Sequence, residues 1–237
     1  EWDKDVDDEL GNYDYLLGSD VDFSDEEVIN ELDYWGKWYV KTTKVDGFRL
    51  DAVKHISFSF YKNWLKKLRE ETKKELFSVG EYWSNDLKKL NNYLEAINNS
   101  ASLFDVPLHF NFYNASISDS RYDLRELLKN TLVEDKPNLA VTFVDNHDSQ
   151  YGQSLESWVR EWFKPIAYGI ILLREKGYPC VFYGDLYGIE CQNIKKVSSI
   201  EKLIALRRDY AYGKENSYFD NAVSYTHLRA HETEADL

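Results

Sequence analysis

The chain has 237 residues, 43% of them hydrophobic, enough to bury the core of one globular domain and unlike a disordered or collagenous chain. A formal net charge of -13 and a sequence pI near 4.9 exclude nucleic acid as an expected partner, since phosphate binding needs clustered Lys and Arg. No run reaches the roughly 18 apolar residues that span a bilayer, so no membrane partner is expected either.

In chain order, residues 1 to 24 are acidic and aromatic without helical periodicity and read as loop. Ser24-Asp25-Glu26-Glu27 has the form of a capping box, with Ser24 as the cap. Behind it Val28, Ile29, Leu32, Trp35 and Tyr39 recur at helical spacing and mark one apolar face. A strand near 45–50 precedes a helix from about Ser57, whose apolar face carries Phe60, Tyr61, Trp64, Leu65 and Leu68. A strand near 76–80 leads to a helix around 86–97. A short strand follows at Ser102 to Val106, then helical pieces around 108–115 and 122–130. The strand at 139–144 leads, after a loop, to a helix near 163–175 with Pro165 at a tolerated early position. The last strand reads as Cys180 to Tyr183, followed by a helix from about Ser199 to Asp209 opened by a second box, Ser198-Ser199-Ile200-Glu201.

Strands alternating with helices of 10 to 15 residues point to βαβ units and a parallel sheet. Three of the apolar runs end in carboxylates, at Asp51, Glu81 and Asp148. In a (β/α) barrel the C-terminal ends of the strands converge on the face where chemistry is done. These three residues are therefore candidates for one active site. Five strands are counted where a closed barrel needs eight, leaving either an open doubly wound sheet or a barrel whose first three strands are missing. The carboxylate placement favours the barrel. The chain begins without Met and contains none, so a cut start is expected, and the lack of a signal peptide carries little weight. Of the two cysteines, Cys180 lies in an apolar run and reads as a small buried thiol rather than half of a disulfide with Cys191. Aromatic residues make up 16% of the chain; most are expected in the core, the rest are suited to stacking on sugar faces.

Four segments, Gly47 to His55, Gly80 to Trp83, Phe143 to Asp148 and Gly177 to Asp185, stand in an order and spacing that resembles the α-amylases, most of all the liquefying and intracellular bacterial ones. The resemblance covers residues 1 to about 222. It implies a partial TIM (β/α)8 barrel, about strands 4 to 8 with their helices, without the N-terminal strands and the C-terminal β-domain. Residues 1–24 would then be a remnant of an acidic metal-binding loop, 25–222 the partial catalytic barrel, and 223–237 a tail that resembles translated sequencing adaptor. The implied activity is retaining endo-hydrolysis of α-1,4-glucosidic bonds in starch, glycogen and maltodextrins by a monomer. The alternatives are a related transglycosylase or maltooligosaccharide-forming amylase, or a non-catalytic glucan-binding fragment.

By the same resemblance Asp51 is the nucleophile, Glu81 the general acid/base, and Asp148 the carboxylate that steadies the oxocarbenium-like transition state. Retaining glycosidases need two carboxyl groups about 5 to 5.5 Å apart, one ionised and one protonated. Arg49, two residues before Asp51 on the same strand face, would hold it ionised. Lys54 and His55 would line the leaving-group side, His147 would donate to sugar hydroxyls, and Tyr82 and Trp83 complete the substrate-binding set. Asp3, Asp14, Asp20, Asp22 and the carbonyl of His55 align with calcium ligands of the relatives, a set of oxygens such as calcium takes. Ser24 stands where several relatives carry another Asp, so the set is incomplete. His227 and His231, four apart, lack the inner Glu of a zinc protease motif and are not read as a zinc site. A cytoplasmic location is expected, with secretion as the alternative, and the 237-residue chain alone is expected to be inactive on starch.

Overall fold

A computed structural model describes residues 5–8, 21–118 and 121–216 of the protein. Asp3, Asp14, Asp20, His227 and His231 lie outside the described residues, as does the tail 223–237. The chain divides into two units, Glu1–Phe104 and Asp105–Leu237.

In the first unit α1 (Glu26–Thr43) is capped by Asp25, whose side chain accepts from Glu27 N–H at 2.8 Å. Ser24 does not cap. Its N–H and hydroxyl both go back to Asp22 Oδ1, at 2.9 and 2.6 Å, so the start moves one residue on. The buried stripe of α1 is also rotated from the one the apolar spacing predicts, and runs through Asp33, Gly36 and Val40. Gly36 causes this: a Cβ there would stand 2.8 Å from the ring of Trp64. The close approach lets Trp64 Nε1 donate to Leu32 O at 3.0 Å, and Asp33 pairs with Lys67. Trp35 is left 45% exposed.

The parallel strands β1 (Gly47–Leu50), β2 (Phe77–Gly80) and β3 (Ser102–Phe104) follow one another in the sheet. They alternate with α2 (Phe58–Thr72) and α3 (Leu87–Ala96). Gly47 faces Phe77, and any Cβ there would lie 1.8 Å from the Phe77 carbonyl oxygen, so the β1–β2 register needs glycine at this point. α2 starts close to its expected place, and Ser57 caps it, accepting from Phe60 N–H at 3.2 Å. Tyr61, Trp64, Leu65 and Leu68 are buried beneath it. Each such apolar side chain contributes roughly 1.5–3 kcal/mol.

The second unit opens with Asp105, which ends the strand run two residues before Val106 would have. Its buried carboxylate accepts from Leu108 N–H at the start of α4 (Val106–Ile117) and from Leu132 and Val133 N–H at the start of α5 (Leu132–Asp135), at 2.7–3.1 Å. Burial pushes its pKa up to about 6 against these three donors. The helix expected at 122–130 is a single 3-10 turn, Leu124–Glu126, instead. β4 (Ala140–Phe143) leads to α6 (Lys164–Leu173), with Pro165 in its first turn.

β5 is Tyr178–Cys180 rather than Cys180–Tyr183, in parallel register with β4 from Val141↔Tyr178 to Phe143↔Cys180. The ladder ends there because β4 itself ends at Phe143. Tyr183–Tyr187 then turns as the short helix α7, which carries Asp185 inward. Cys180 is half-buried and its thiol is pushed up by burial; both cysteines are free. The last helix, α8 (Ile200–Tyr210), lacks the expected box. Ser199 caps it in an α-helical conformation with no side-chain bond, and Ser199 Oγ has no hydrogen-bond partner among the described residues.

Candidate active site

Two of the three expected carboxylates stand side by side in the first unit. Residues 50 and 80 are partners at the ends of β1 and β2, and the next residue on each strand is Asp51 and Glu81. Glu81 N–H donates to Leu50 O at 2.8 Å, extending the ladder by one step. Ala52 then adopts a left-handed conformation, φ 45° and ψ 40°, which costs a non-glycine residue on the order of 1–2 kcal/mol. That conformation goes with two bonds: Ala52 N–H donates to Glu81 Oε2 at 3.0 Å and Val53 N–H to Glu81 O at 3.1 Å. The strained turn thus ties the Glu81 carboxylate to the backbone beside Asp51. Asp51 is exposed, Glu81 is buried, and Arg49 Nη1 donates to Asp51 Oδ1 from two residues back along β1. An accessible carboxylate beside a buried one, on adjacent strand ends, is a geometry that can divide attack and proton transfer between them.

Lys54 is buried and donates from Nζ to the Trp83 carbonyl at 2.9 Å, while its own carbonyl accepts from Asp7 N–H at 2.8 Å. Tyr82 is 2% exposed, with its ring against Phe58 and Tyr93 and its hydroxyl donating to Asp7. It is core, not a face offered to a sugar. Trp83 and His55 are half-buried. Asp7 also pairs with Lys89 at 3.0 Å, so a short acidic stretch before residue 9 is pinned to the segments after β1 and β2.

The third carboxylate lies in the second unit, in the turn that follows β4. His147 Nε2 stands 3.1 Å from Asp148 Oδ2, with the imidazole mostly exposed and the carboxylate about one-third exposed. Beneath the turn are buried groups to which the sequence reading assigns no role, although Asp145 and Asp185 lie within two of its four segments. Asp145 and Asp185 share Lys164, at 3.0 and 2.5 Å, and Tyr168 donates to Asp185 at 2.6 Å. Lys164 Nζ sits 3.1 Å from the centroid of the Trp158 ring. Burial, with the Asp185 carboxylate nearby, pushes Asp145 up to about 8 against the pull of Lys164. His109 is fully buried, stacked on Phe143, with Nδ1 2.6 Å from Val144 O and Nε2 2.8 Å from Ser157 Oγ. Burial holds it neutral, with a pKa down at about 4. The signal available in the sequence was Lys164 itself, one cation opening an otherwise apolar helix.

Among the described residues no three or more His, Cys, Asp or Glu side chains gather as a metal site. Of the expected calcium ligands only Asp22 and His55 are described, and Asp22 Oδ1 accepts from Ser24, which holds its carboxyl below the ordinary range.

Parallel β-α repeats with carboxylates at the strand ends define part of a (β/α)8-barrel enzyme fold. The profile described as "Alpha amylase, catalytic domain" matches residues 1–222, and the chain belongs to that family. Over 222 residues it is 58% identical to an α-amylase of Geobacillus stearothermophilus, covering 93% of this chain and 40% of that protein. It is 52% identical to a glucan 1,4-α-maltohexaosidase of Bacillus sp. (strain 707), covering 95% and 44%. It is 44% identical to the cytoplasmic α-amylase of Escherichia coli K12, covering 95% and 48%. The chain thus spans less than half the length of these curated relatives. The crystal structure of the α-amylase from Geobacillus thermoleovorans shares the fold with a TM-score of 0.67 at 24% identity, over 87% of this chain and 51% of that one. The partial barrel expected from the sequence is the observed fold class.

Proposed function

We propose that the complete protein containing this chain hydrolyses α-1,4-glucosidic bonds of starch, glycogen and maltodextrins with retention of configuration, residues 25–222 supplying the catalytic segment. The observation that carries this reading is the bonded pair of strand ends that sets Asp51 beside Glu81. In it Asp51 attacks the anomeric carbon while Glu81 protonates the leaving oxygen, and Glu81 then takes the proton of the incoming water. Asp148 steadies the oxocarbenium-like transition state, and Arg49, Lys54, His55, Trp83 and His147 bind and orient the chain of sugars, with Tyr82 acting through its hold on Asp7. The names of the relatives support the substrate class. A monomer and a cytoplasmic location belong to the same proposal, the latter supported by the name of the E. coli relative.

The test is proton NMR of fresh hydrolysis products of maltoheptaose: the α-anomer is expected first, and initial release of the β-anomer overturns retention. The same experiment read by chain length separates general endo-hydrolysis from release of one preferred oligosaccharide, which the maltohexaosidase relative favours.

Calcium belongs to the proposal as a stabilising ion. Asp3, Asp14, Asp20, Asp22 and the His55 carbonyl would supply part of its shell, an all-oxygen donor set of the kind a hard divalent cation takes though incomplete in this chain. Calcium at a hundred times its dissociation constant is worth about 2.7 kcal/mol. Excess EDTA is therefore expected to lower the melting temperature, and an unchanged melting curve overturns the site.

A further inference from the structure

The turn Asp145-Asn146-His147-Asp148-Ser149 is held from below by a chain of bonds that ends on a buried carboxylate. Asp145 Oδ1 accepts from Ser149 Oγ at 2.8 Å, and Asp145 is itself fixed by Lys164 and by Val159 N–H, which lies 3.3–3.4 Å from its two oxygens. The same Ser149 oxygen accepts from Asn146 N–H at 3.0 Å. Asn146 Oδ1 in turn accepts from the N–H groups of Asp148 and Ser149 at 2.9 and 2.8 Å. On the far side Leu155 N–H donates to Asp148 O and Ser157 N–H to Ser149 O, at 3.2 and 3.0 Å. Asp148 therefore has its own amide and carbonyl tied, and the neighbours on either side of His147-Asp148 meet at one hydroxyl.

We propose that Ser149 is a positioning residue for Asp148, its buried hydroxyl bridging Asp145 and Asn146 N–H so that the turn presents the Asp148 carboxylate in one place. The proposal rests on the reading of Asp148 as a carboxylate of the reaction. Ser149 reaches no substrate in this scheme; it is fully buried. Removing the hydroxyl cuts both bonds and leaves Asp145 and Asn146 N–H without this partner, and displacement of a catalytic group by about 1 Å can cost on the order of a hundredfold. A transition-state contact loses kcat while ground-state binding is kept.

The experiment compares Ser149→Ala, Ser149→Thr and Asp148→Asn in the intact protein, assayed on maltoheptaose well below the melting temperature of each. Ser149→Ala is expected to lower kcat by roughly ten- to a hundredfold with KM within about threefold, and Ser149→Thr, which keeps the hydroxyl, to restore kcat to within about threefold. A fall in melting temperature with kcat unchanged in Ser149→Ala means a merely structural hydroxyl and overturns the proposal. If Asp148→Asn is inactive while Ser149→Ala works normally, the positioning role alone fails; if Asp148→Asn keeps full activity, the carboxylate reading fails and the positioning role with it. Should Ser149→Ala not fold, Ser149→Cys, close to serine in size but a weak donor and acceptor, takes its place. A kcat equal to wild type in Ser149→Cys overturns the proposal.

Discussion

Asp51→Asn is expected to lower kcat on maltooligosaccharides by at least about a thousandfold, which corresponds to about 4 kcal/mol of barrier. Asn has the shape of Asp and keeps an oxygen to accept from Arg49 Nη1, so the end of β1 and the left-handed turn at Ala52 need not move. What is lost is the nucleophile: an amide oxygen cannot form the glycosyl ester that a carboxylate forms. Covalent attack is made only in the reaction, so the dissociation constant for maltoheptaose by titration calorimetry is expected to stay within about threefold. Retention of a tenth of the wild-type kcat would remove Asp51 from the role. A large loss of binding together with kcat would instead place Asp51 among the ground-state contacts.

The parts of the fold that sequence reading located well are those where one strong local signal had no rival. β1, β2 and β4 are short apolar runs closed by a carboxylate, and all three lie within a residue or two of their expected places. Ser57 caps α2 because its oxygen stays available to Phe60 N–H even with the Ser59 hydroxyl 3.1 Å away. Ser24 fails as a cap because Asp22, two residues back, takes both its hydrogens. The buried face of α1 departs from the apolar spacing for a tertiary reason. Periodicity ranks Trp35 as core, whereas Gly36, with no side chain to count, is where Trp64 enters. The end of β5 follows the length of β4, which the run Cys180 to Tyr183 cannot reveal. At the site, motif and strand end gave Asp51 and Glu81 together, but the buried groups under Asp148 gave little signal. Lys164 at the first turn of α6 has the look of an exposed helix-end cation, and only the inward turn of α7 brings Asp185 to it.

Lys164→Met is expected to destabilise the protein by about 3–5 kcal/mol, the cost of breaking a buried ion pair by removing one partner. Lys164 is 1% exposed and is the cation shared by Asp145 and Asp185. Met approximates the length of the lysine stem and would still lie near the Trp158 ring, so lost packing contributes little and lost charge dominates. Asp185 would keep the Tyr168 hydroxyl and Asp145 the Ser149 hydroxyl, bonds that do not neutralise a buried carboxylate. The relief available is protonation, and this gives the test its sign. With the cation gone, the folded-state pKa of Asp145, already pushed up to about 8 by burial, rises further above the unfolded value near 3.9. The folded state then holds protons that the unfolded chain releases, and stability falls as pH rises. The deficit of Lys164→Met relative to wild type, measured by urea unfolding, is therefore expected to be larger at pH 8 than at pH 5. Adding Asp185→Asn to the variant is expected to recover part of the loss, since the two sites are in direct contact and cannot be additive. A deficit under about 1 kcal/mol that is independent of pH would mean that Lys164 compensates neither carboxylate, contrary to the buried triad.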